Sequence, residues 1–553
     1  MNRLWYGDNL TIMQEHMGKH SVDLIYLDPP FNSKQNYNLL YKTMTGKPVP
    51  EQVEAFCDTW EMDPQKEAIA RSMPVLMREH GVDDYYVDFW RLWMQALRKS
   101  QPHLLAYLIF MVQRLLYMKS LLRPTGSIYL HCDPTASHYI KVMMDGIFGH
   151  ANFRNEIVWK RTGSHGGSKR WGPVHDTLLF YTASDRYTWN RVFQSYDQKY
   201  LDDFYRFNDE RGRYRLVTLT GAGVRTGDSG KPWRGVNPTD SGRHWAVPKA
   251  ALEAAYPDRD LSGLSTQEKL ELLDQAGLIY WPKRGSVPQQ KRYSDENPGV
   301  GVQDIITDIG PIGSQAKERM GYPTQKPTAL LDRIIQVSSN KGDVVFDPFC
   351  GCGTTIYSAQ KNARKWIGCD IAILSIKLIR ETLQSDQFRL VEGHDYRVDG
   401  IPMSVDGAQE LWNKDPSTFQ KWFAERVGGF PMTRHSGDRG IDGRIYFETG
   451  TGLKEMILQV KGGKTVRPTD VRDLRGTLER EENAEMAGFL SIAEPSKAML
   501  AEAAEAGTYS YMGFEYPRIQ FLTTKDVLED KREFLMPTRV SAKIVTGQHS
   551  FAL

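Results

Sequence analysis

The residues with the most chemical promise in this chain sit at the ends of two short apolar runs. Asp28-Pro29-Pro30-Phe31 follows Val22–Leu27, and Asp347-Pro348-Phe349-Cys350-Gly351-Cys352-Gly353 follows Val344–Phe346. The first stretch suits an amino group on a flat heteroaromatic base. Asp28 and the Pro29 carbonyl can each accept one N–H, which favours a pyramidal nitrogen with its lone pair aimed at an electrophile. Phe31 can stack on the ring, and the paired prolines Pro29 and Pro30 make the turn rigid. Positioning and electrostatics would carry most of the rate of such a transfer, without a covalent nucleophile.

The second stretch is a glycine turn. Gly351 and Gly353 remove side chains where a nucleotide-like cofactor must pass close to the backbone. Asp370 lies 17 residues after Gly353, at the end of the next expected strand, where an acidic residue accepts hydrogen bonds from ribose hydroxyls. The turn is shorter than the G-x-G-x-x-G that cradles a pyrophosphate, so it suits a cofactor without one.

A third group lies near the C-terminus. Gly437-Asp438-Arg439-Gly440-Ile441-Asp442-Gly443 precedes Ile457-Leu458-Gln459-Val460-Lys461. In a strand, Gln459 and Lys461 point to one face and Leu458 and Val460 to the other. A hairpin would bring Asp442 beside them.

These groups need elements to position them. Residues 1–150 alternate strands and helices: strand Val22–Leu27, helices Phe89–Leu97 and Leu104–Leu122, a turn at Pro124-Thr125-Gly126, strand Ser127–His131 and helix Ala136–Phe148. That rhythm predicts a doubly wound, mostly parallel sheet. From about residue 154 to 320 it gives way to glycines, arginines and aromatics. Between Arg154 and Arg234 there are 15 Lys/Arg against 9 Asp/Glu. The rhythm resumes with helix Leu330–Ser338, strand Val344–Phe346, a helix from Thr354 and strand Lys365–Cys369. The stretch 396–416 is polar and rich in glycine and proline and reads as a linker. A second small α/β unit follows, with helix Phe419–Val427 and strands Arg444–Phe447 and Glu455–Lys461.

The paired motifs resemble those of amino-group DNA methyltransferases that use S-adenosyl-L-methionine (AdoMet). The target-amine motif precedes the cofactor motif, which is similar to the circularly permuted β group and its type III modification subunits. Gly7-Asp8-Asn9, Val22–Phe31, Gly126–Pro134, Tyr322–Pro327 and Val344–Thr355 carry the likeness. It implies a Rossmann-like class I methyltransferase sheet with an inserted target-recognition region. In that family Asp-Pro-Pro with an aromatic marks adenine N6 as the target, and a base flipped out of double-stranded DNA as the substrate. The resemblance places Asp8 and Lys326 near the cofactor, beside Asp347, Phe349, Gly351, Gly353 and Asp370. It divides the chain into methyltransferase segments 1–154 and 321–395, a recognition region 155–320, the linker 396–416 and a C-terminal domain 417–553.

That last domain resembles the Mrr-like branch of the restriction-endonuclease superfamily, which implies an α/β nuclease. Asp442 and the Val460 carbonyl would hold Mg²⁺, Lys461 would orient or deprotonate water, and Gln459 takes the place of an acidic residue, as is usual in that branch. An acidic residue on the preceding helix often completes the site. Gln420 stands where it is sought first, and Glu425 is the alternative. The expectation is a methyltransferase fused to an endonuclease in a restriction–modification system. The alternative is a methyltransferase whose C-terminal domain binds DNA or a partner without cutting.

Bulk properties agree with this reading without forcing it. The 553 residues leave room for roughly two to four domains. A net charge of +2 does not by itself announce nucleic acid. Five cysteines form no disulfide-like framework, which suits a reducing compartment. The chain opens on polar Asn2-Arg3 rather than a secretory signal. Gln113, Arg114 and Lys119 interrupt its most apolar stretch, so a buried helix is expected there rather than a membrane span. A cytoplasmic location follows, with DNA, a second copy or other restriction–modification subunits as partners.

Overall fold

The computed structural model describes residues 1–30, 36–39, 53–57, 60–134, 136–163, 171–282, 287–296, 299–313, 316–320, 324–432, 440–449, 452–463 and 465–537. The chain divides into two compact units: Met1–Asn190 with Gln303–Leu553, and Arg191–Val302.

The first unit is built on a nine-stranded sheet. Its strands run, edge to edge, Ile305–Ile306, Phe153–Lys160, His175–Thr182, Leu122–Cys132, Val22–Leu27, Val344–Asp347, Lys365–Asp370, Asn2–Tyr6 and Tyr396–Asp399. Only His175–Thr182 runs antiparallel to its neighbours. Val22–Leu27 is buried along its whole length, as expected for a central parallel strand covered on both faces. It pairs Leu24 with Val345 and Ile25 with Phe346 on one side, and Ile25 with Ile128 on the other. The order reverses here, and such a switch point opens a crevice at the strands' C-terminal ends.

The flanking helices follow their apolar periodicity. Asp84–Ser100 buries Val87, Trp90, Met94 and Leu97 on one stripe. Pro102–Leu121 starts with proline at its first turn and is buried nearly all round. It is long and apolar enough to cross a membrane, yet 72% of that window is packed inside the protein.

Two sequence expectations differ from this architecture. Pro124-Thr125-Gly126 does not separate a helix from a strand but lies within the strand Leu122–Cys132, where pairing with Val22–Leu27 shifts register. A Cβ on Gly126 would stand 3.1 Å from the Asp23 carbonyl oxygen, tight enough that a side chain there would have to push its neighbours aside. The stretch 396–416 is not a loose linker. Tyr396–Asp399 pairs with Asn2–Tyr6 as the sheet's edge strand, and Val405–Lys414 is helical, capped by Ser404. An edge strand has only one partner, and its polarity therefore masks it in sequence.

The C-terminal part of this unit carries a five-stranded sheet in the order Phe430–Pro431, Gly443–Thr449, Gly452–Lys461, Ala484–Ser491 and Ile519–Thr523. Gly443–Thr449 and Gly452–Lys461 form an antiparallel hairpin, and the next two strands run parallel to Gly452–Lys461. Helices Pro416–Arg426, Pro468–Leu478 and Lys497–Ala504 accompany them.

The second unit, Arg191–Val302, falls inside the stretch 155–320 and is shorter than it, because Phe153–Lys160 and His175–Thr182 pair into the large sheet. Its own core gathers Trp233, Trp245, Leu270, Leu273 and Tyr293. Several of its arginines serve that unit's own architecture. Arg234 pairs with Glu271 and Asp274, and Arg211 lies 4.2 Å from the Tyr293 ring centroid.

Candidate active site

Four adjacent parallel strands end on the same side with an acidic residue. Val22–Leu27 leads to Asp28, Val344–Asp347 and Lys365–Asp370 end on theirs, and Asn2–Tyr6 leads through Gly7 to Asp8. All four acids line one cavity of about 1190 Å³, together with Pro30, Trp60, Phe110, Lys326, Phe349 and Gly351. The two motifs are 319 residues apart in sequence and meet because their strands are neighbours.

The glycine turn is held from both sides. Gly351 N donates to Asp370 Oδ2 at 2.8 Å, Phe349 N to Asp347 Oδ1 at 3.0 Å, and Gly353 N to the Cys350 carbonyl at 2.7 Å. Gly353 has φ +91°, and a Cβ there would stand 2.7 Å from Ile379 Cγ1. Only glycine fits both the backbone and the space. It opens the helix Thr354–Lys361. Asp370 Oδ1 also accepts from Ala372 N at 2.9 Å. Asp370 therefore shapes the turn as well as facing the cavity.

Burial disfavours charge on these acids. It raises Asp347 to about 7, against the hydrogen bonds from Thr355 and Phe349, with Asp28 and Asp370 pushing the same way as burial. It raises Asp370 to about 6, opposed by the Ala372 and Gly351 amides. A cationic ligand would oppose both shifts.

Asp8 is the N-cap of the helix Asn9–His16, accepting from Leu10 N and Thr11 N. Its other oxygen accepts from Arg114 Nη2 at 2.5 Å. Arg114 is buried and also donates to Asn9 Oδ1 at 2.6 Å, and Asn9 Nδ2 reaches the Pro348 carbonyl at 2.8 Å. This chain of hydrogen bonds ties the start of the protein to the cofactor turn. Sequence reading passed over Arg114 as an interruption in an apolar helix. A lone charge on such a helix needs a partner, and that was the available signal.

Asp28 Oδ2 accepts from Lys326 Nζ at 2.5 Å. Its Oδ1 is buried without a hydrogen-bond partner among the described residues. An unsatisfied buried acceptor is costly and calls for a donor from outside the chain. Pro29 follows directly and Pro30 lines the cavity. Phe31 lies outside the described residues.

At the C-terminal hairpin Asp442 lies beside Leu458 and Val460 of the strand Gly452–Lys461. Asp442 Oδ2 accepts from Val460 N at 2.7 Å, and Asp442 N donates to the Leu458 carbonyl at 2.8 Å. Gln459 is buried, its Nε2 donating to the Gly440 carbonyl at 3.4 Å. Of the two residues considered to complete a metal site, Gln420 is partly exposed. Glu425 faces elsewhere and lines the large cavity. No group of three or more His, Cys, Asp or Glu side chains that could hold a metal occurs among the described residues.

Two separate stretches of the chain match known families. Residues 22–381 match the DNA methylase model N6_N4_Mtase. Residues 416–524 match a model described as NACHT-associated inactive Restriction Endonuclease 1. The Type II methyltransferase M.EcaI of Enterobacter cloacae is 34% identical over 377 residues, covering 68% of this chain and 68% of that protein. The Mod subunit of the Type III restriction-modification enzyme StyLTI of Salmonella typhimurium is 26% identical over 370 residues, and the match spans 64% of this chain but only 49% of the Mod subunit. A putative DNA modification methylase of Thermus thermophilus, solved with S-adenosyl-L-methionine, aligns with 72% of this chain and 100% of its own at 14% identity and TM-score 0.32. With two thirds of M.EcaI matched at this identity, and the methylase model spanning most of the sheet and both motifs, the chain belongs to the DNA methylase family.

Proposed function

We propose that this protein moves a methyl group from AdoMet to the exocyclic N6 of adenine in double-stranded DNA. The observation that carries the reading is Asp28: a buried carboxyl oxygen without a partner among the described residues, on a residue that lines the same cavity as the glycine turn. The cavity suits the donor. It holds a cluster of buried acids for a cation, a glycine turn for close approach and Asp370 for ribose hydroxyls. AdoMet, when bound, supplies an electrophilic methyl on a sulfonium.

The chain's own residues do the rest. Lys326 anchors Asp28 through one oxygen, which leaves the other for the target amine. Asp28 and the Pro29 carbonyl would take the two amine hydrogens, and Phe31 would stack on the flipped base. Asp347 and Asp370 set the turn, Phe349 lines it, and Asp8 fixes the neighbouring loop through Arg114. The unit Arg191–Val302 is the candidate for reading the DNA sequence, through arginine contacts to phosphates and base edges.

The test is Asp28→Ala with plasmid DNA and radiolabelled AdoMet, followed by identification of the modified base. Methylation should fall by at least about a hundredfold, the scale of losing one transition-state contact, while AdoMet binding stays near wild type. Transfer at the wild-type rate, or N4-methylcytosine as the sole product, would refute the assignment.

For the C-terminal domain a non-cutting, restriction-endonuclease-like module is favoured over the Mg²⁺-dependent nuclease. The supporting observations are that Asp442 Oδ2 accepts from the Val460 amide and that no group of three or more potential metal-ligating side chains occurs among the described residues. Cleavage of unmethylated plasmid in Mg²⁺ that is lost in Lys461→Ala would restore the nuclease reading.

A further inference from the structure

The helix Pro416–Arg426 belongs in sequence to the C-terminal domain, yet its Glu425 does not face that domain's hairpin. Glu425 Oε2 accepts from Ile373 N at 3.2 Å. Ile373 opens the helix that follows Asp370. Glu425, Asp370 and Ile371 line the same cavity, along with Lys421, Phe430 and Leu528 of the C-terminal domain. Glu425 is partly buried, and the surface it keeps opens on that cavity.

Ile376, Ile379 and Leu383 of the helix after Asp370 share one apolar cluster with Phe419, Trp422 and Phe423 of the helix that carries Glu425. That cluster runs through both the large sheet's helices and the C-terminal domain, and the hydrogen bond to Ile373 N holds the carboxyl beside the cavity. Nearby, the Tyr6 hydroxyl is buried without a partner among the described residues, and Glu425 and Asp370 both lie close enough to oppose its ionisation. Among the described residues the Ile373 amide is the one hydrogen bond to the Glu425 carboxylate, through Oε2. The other oxygen therefore remains to meet a ligand group. Burial, with Asp370 adding to it and the Ile373 amide and Lys421 opposing, lifts this carboxyl to about 8.

We propose that the C-terminal domain completes the methyl-donor site and that Glu425 is a further donor-binding residue, hydrogen-bonded to the adenosine portion of the donor. The inference rests on the reading that this cavity takes AdoMet. It places Glu425 at the Asp370 end, where ribose and base are expected, and away from Asp28, where the methyl group must be. The donor then touches both halves of the protein. Its occupancy and the seating of the C-terminal domain become linked, each stabilising the other.

The experiment is calorimetric titration of the full chain, without DNA, using AdoMet, S-adenosylhomocysteine and 5′-methylthioadenosine. Wild type is compared with Glu425→Gln and Glu425→Ala, with near-UV circular dichroism to show that each is folded. Glu425→Ala should weaken all three ligands by about tenfold or more, as expected for a lost hydrogen bond, and Glu425→Gln by less. If wild type binds and both variants bind equally well while only thermal stability drops, Glu425 merely caps the helix and the proposal fails. If AdoMet and S-adenosylhomocysteine weaken but 5′-methylthioadenosine does not, the carboxyl meets the amino-acid portion and the adenosine assignment is wrong. If wild type binds none of the three, the cofactor reading of the cavity falls and this inference falls with it.

Discussion

Two clusters of polar residues on β-structure, one at the ends of the large sheet and one in the C-terminal hairpin, differ in where their polar atoms point. At the ends of the large sheet, Asp28, Asp347, Asp370 and Asp8 converge on one cavity, and one oxygen of Asp28 has no partner among the described residues. In the C-terminal hairpin, Asp442 and Gln459 are turned inward to backbone groups. Each set keeps one buried acceptor without a partner among the described residues, Asp28 Oδ1 in the first and Gln459 Oε1 in the second; what sets the first apart is that its four acids line one cavity. Convergence of several acids on shared space, more than a single unsatisfied acceptor, is the difference between the two regions.

The largest effect that would sharpen this comparison is expected at Gly353. Gly353→Val must adopt φ +91° and place its Cβ 2.7 Å from Ile379. AdoMet binding by calorimetry should be lost, or the protein should fail to fold. Binding at wild-type strength would mean that the turn is not the cofactor cradle.

A medium effect is expected from pH on the ligand-free protein. Asp347, Asp370 and Glu425 are lifted to about 7, 6 and 8, above the ordinary carboxyl range that holds when unfolded. The folded state therefore binds more protons than the unfolded state between about pH 4 and 8. Their contribution to stability is fully present below about pH 4 and is lost as pH rises through 6 to 8. The slope is on the order of 1 kcal/mol per pH unit for each group while it titrates. Denaturant melts at pH 5 and 8 should show this fall, reduced in Glu425→Gln and offset by AdoMet. A flat profile between pH 5 and 8 would show that these acids ionise as freely as in the unfolded chain.

The smallest effect is expected in the hairpin. Asp442→Ala removes the acceptor of the Val460 amide and should cost roughly 1–3 kcal/mol of stability, with the DNA methylation rate unchanged. A collapse of methylation without loss of folding would show that the two regions are functionally one.

Much of this was legible in one dimension. The strand Val22–Leu27 and the helices at Asp84–Ser100 and Pro102–Leu121 follow from apolar spacing, because burial on one face or on both is written in residue order. Asp28-Pro29-Pro30 and Asp347–Gly353 stood out because chemistry and backbone geometry restrict those positions to few residue types. The polar edge strand Tyr396–Asp399 did not stand out, since its pairing comes from a strand at the other end of the chain.

What the sequence alone determined, then, was the set of local elements and the two motifs. Each depends on interactions within a few residues. The tertiary structure decided which groups meet. It put the two motifs on adjacent strands and gave Arg114 its partner Asp8. It also turned Glu425 away from the hairpin it precedes and onto the cofactor-side helix. Such pairings depend on strand order and on a shared apolar core, and sequence separation carries no trace of either.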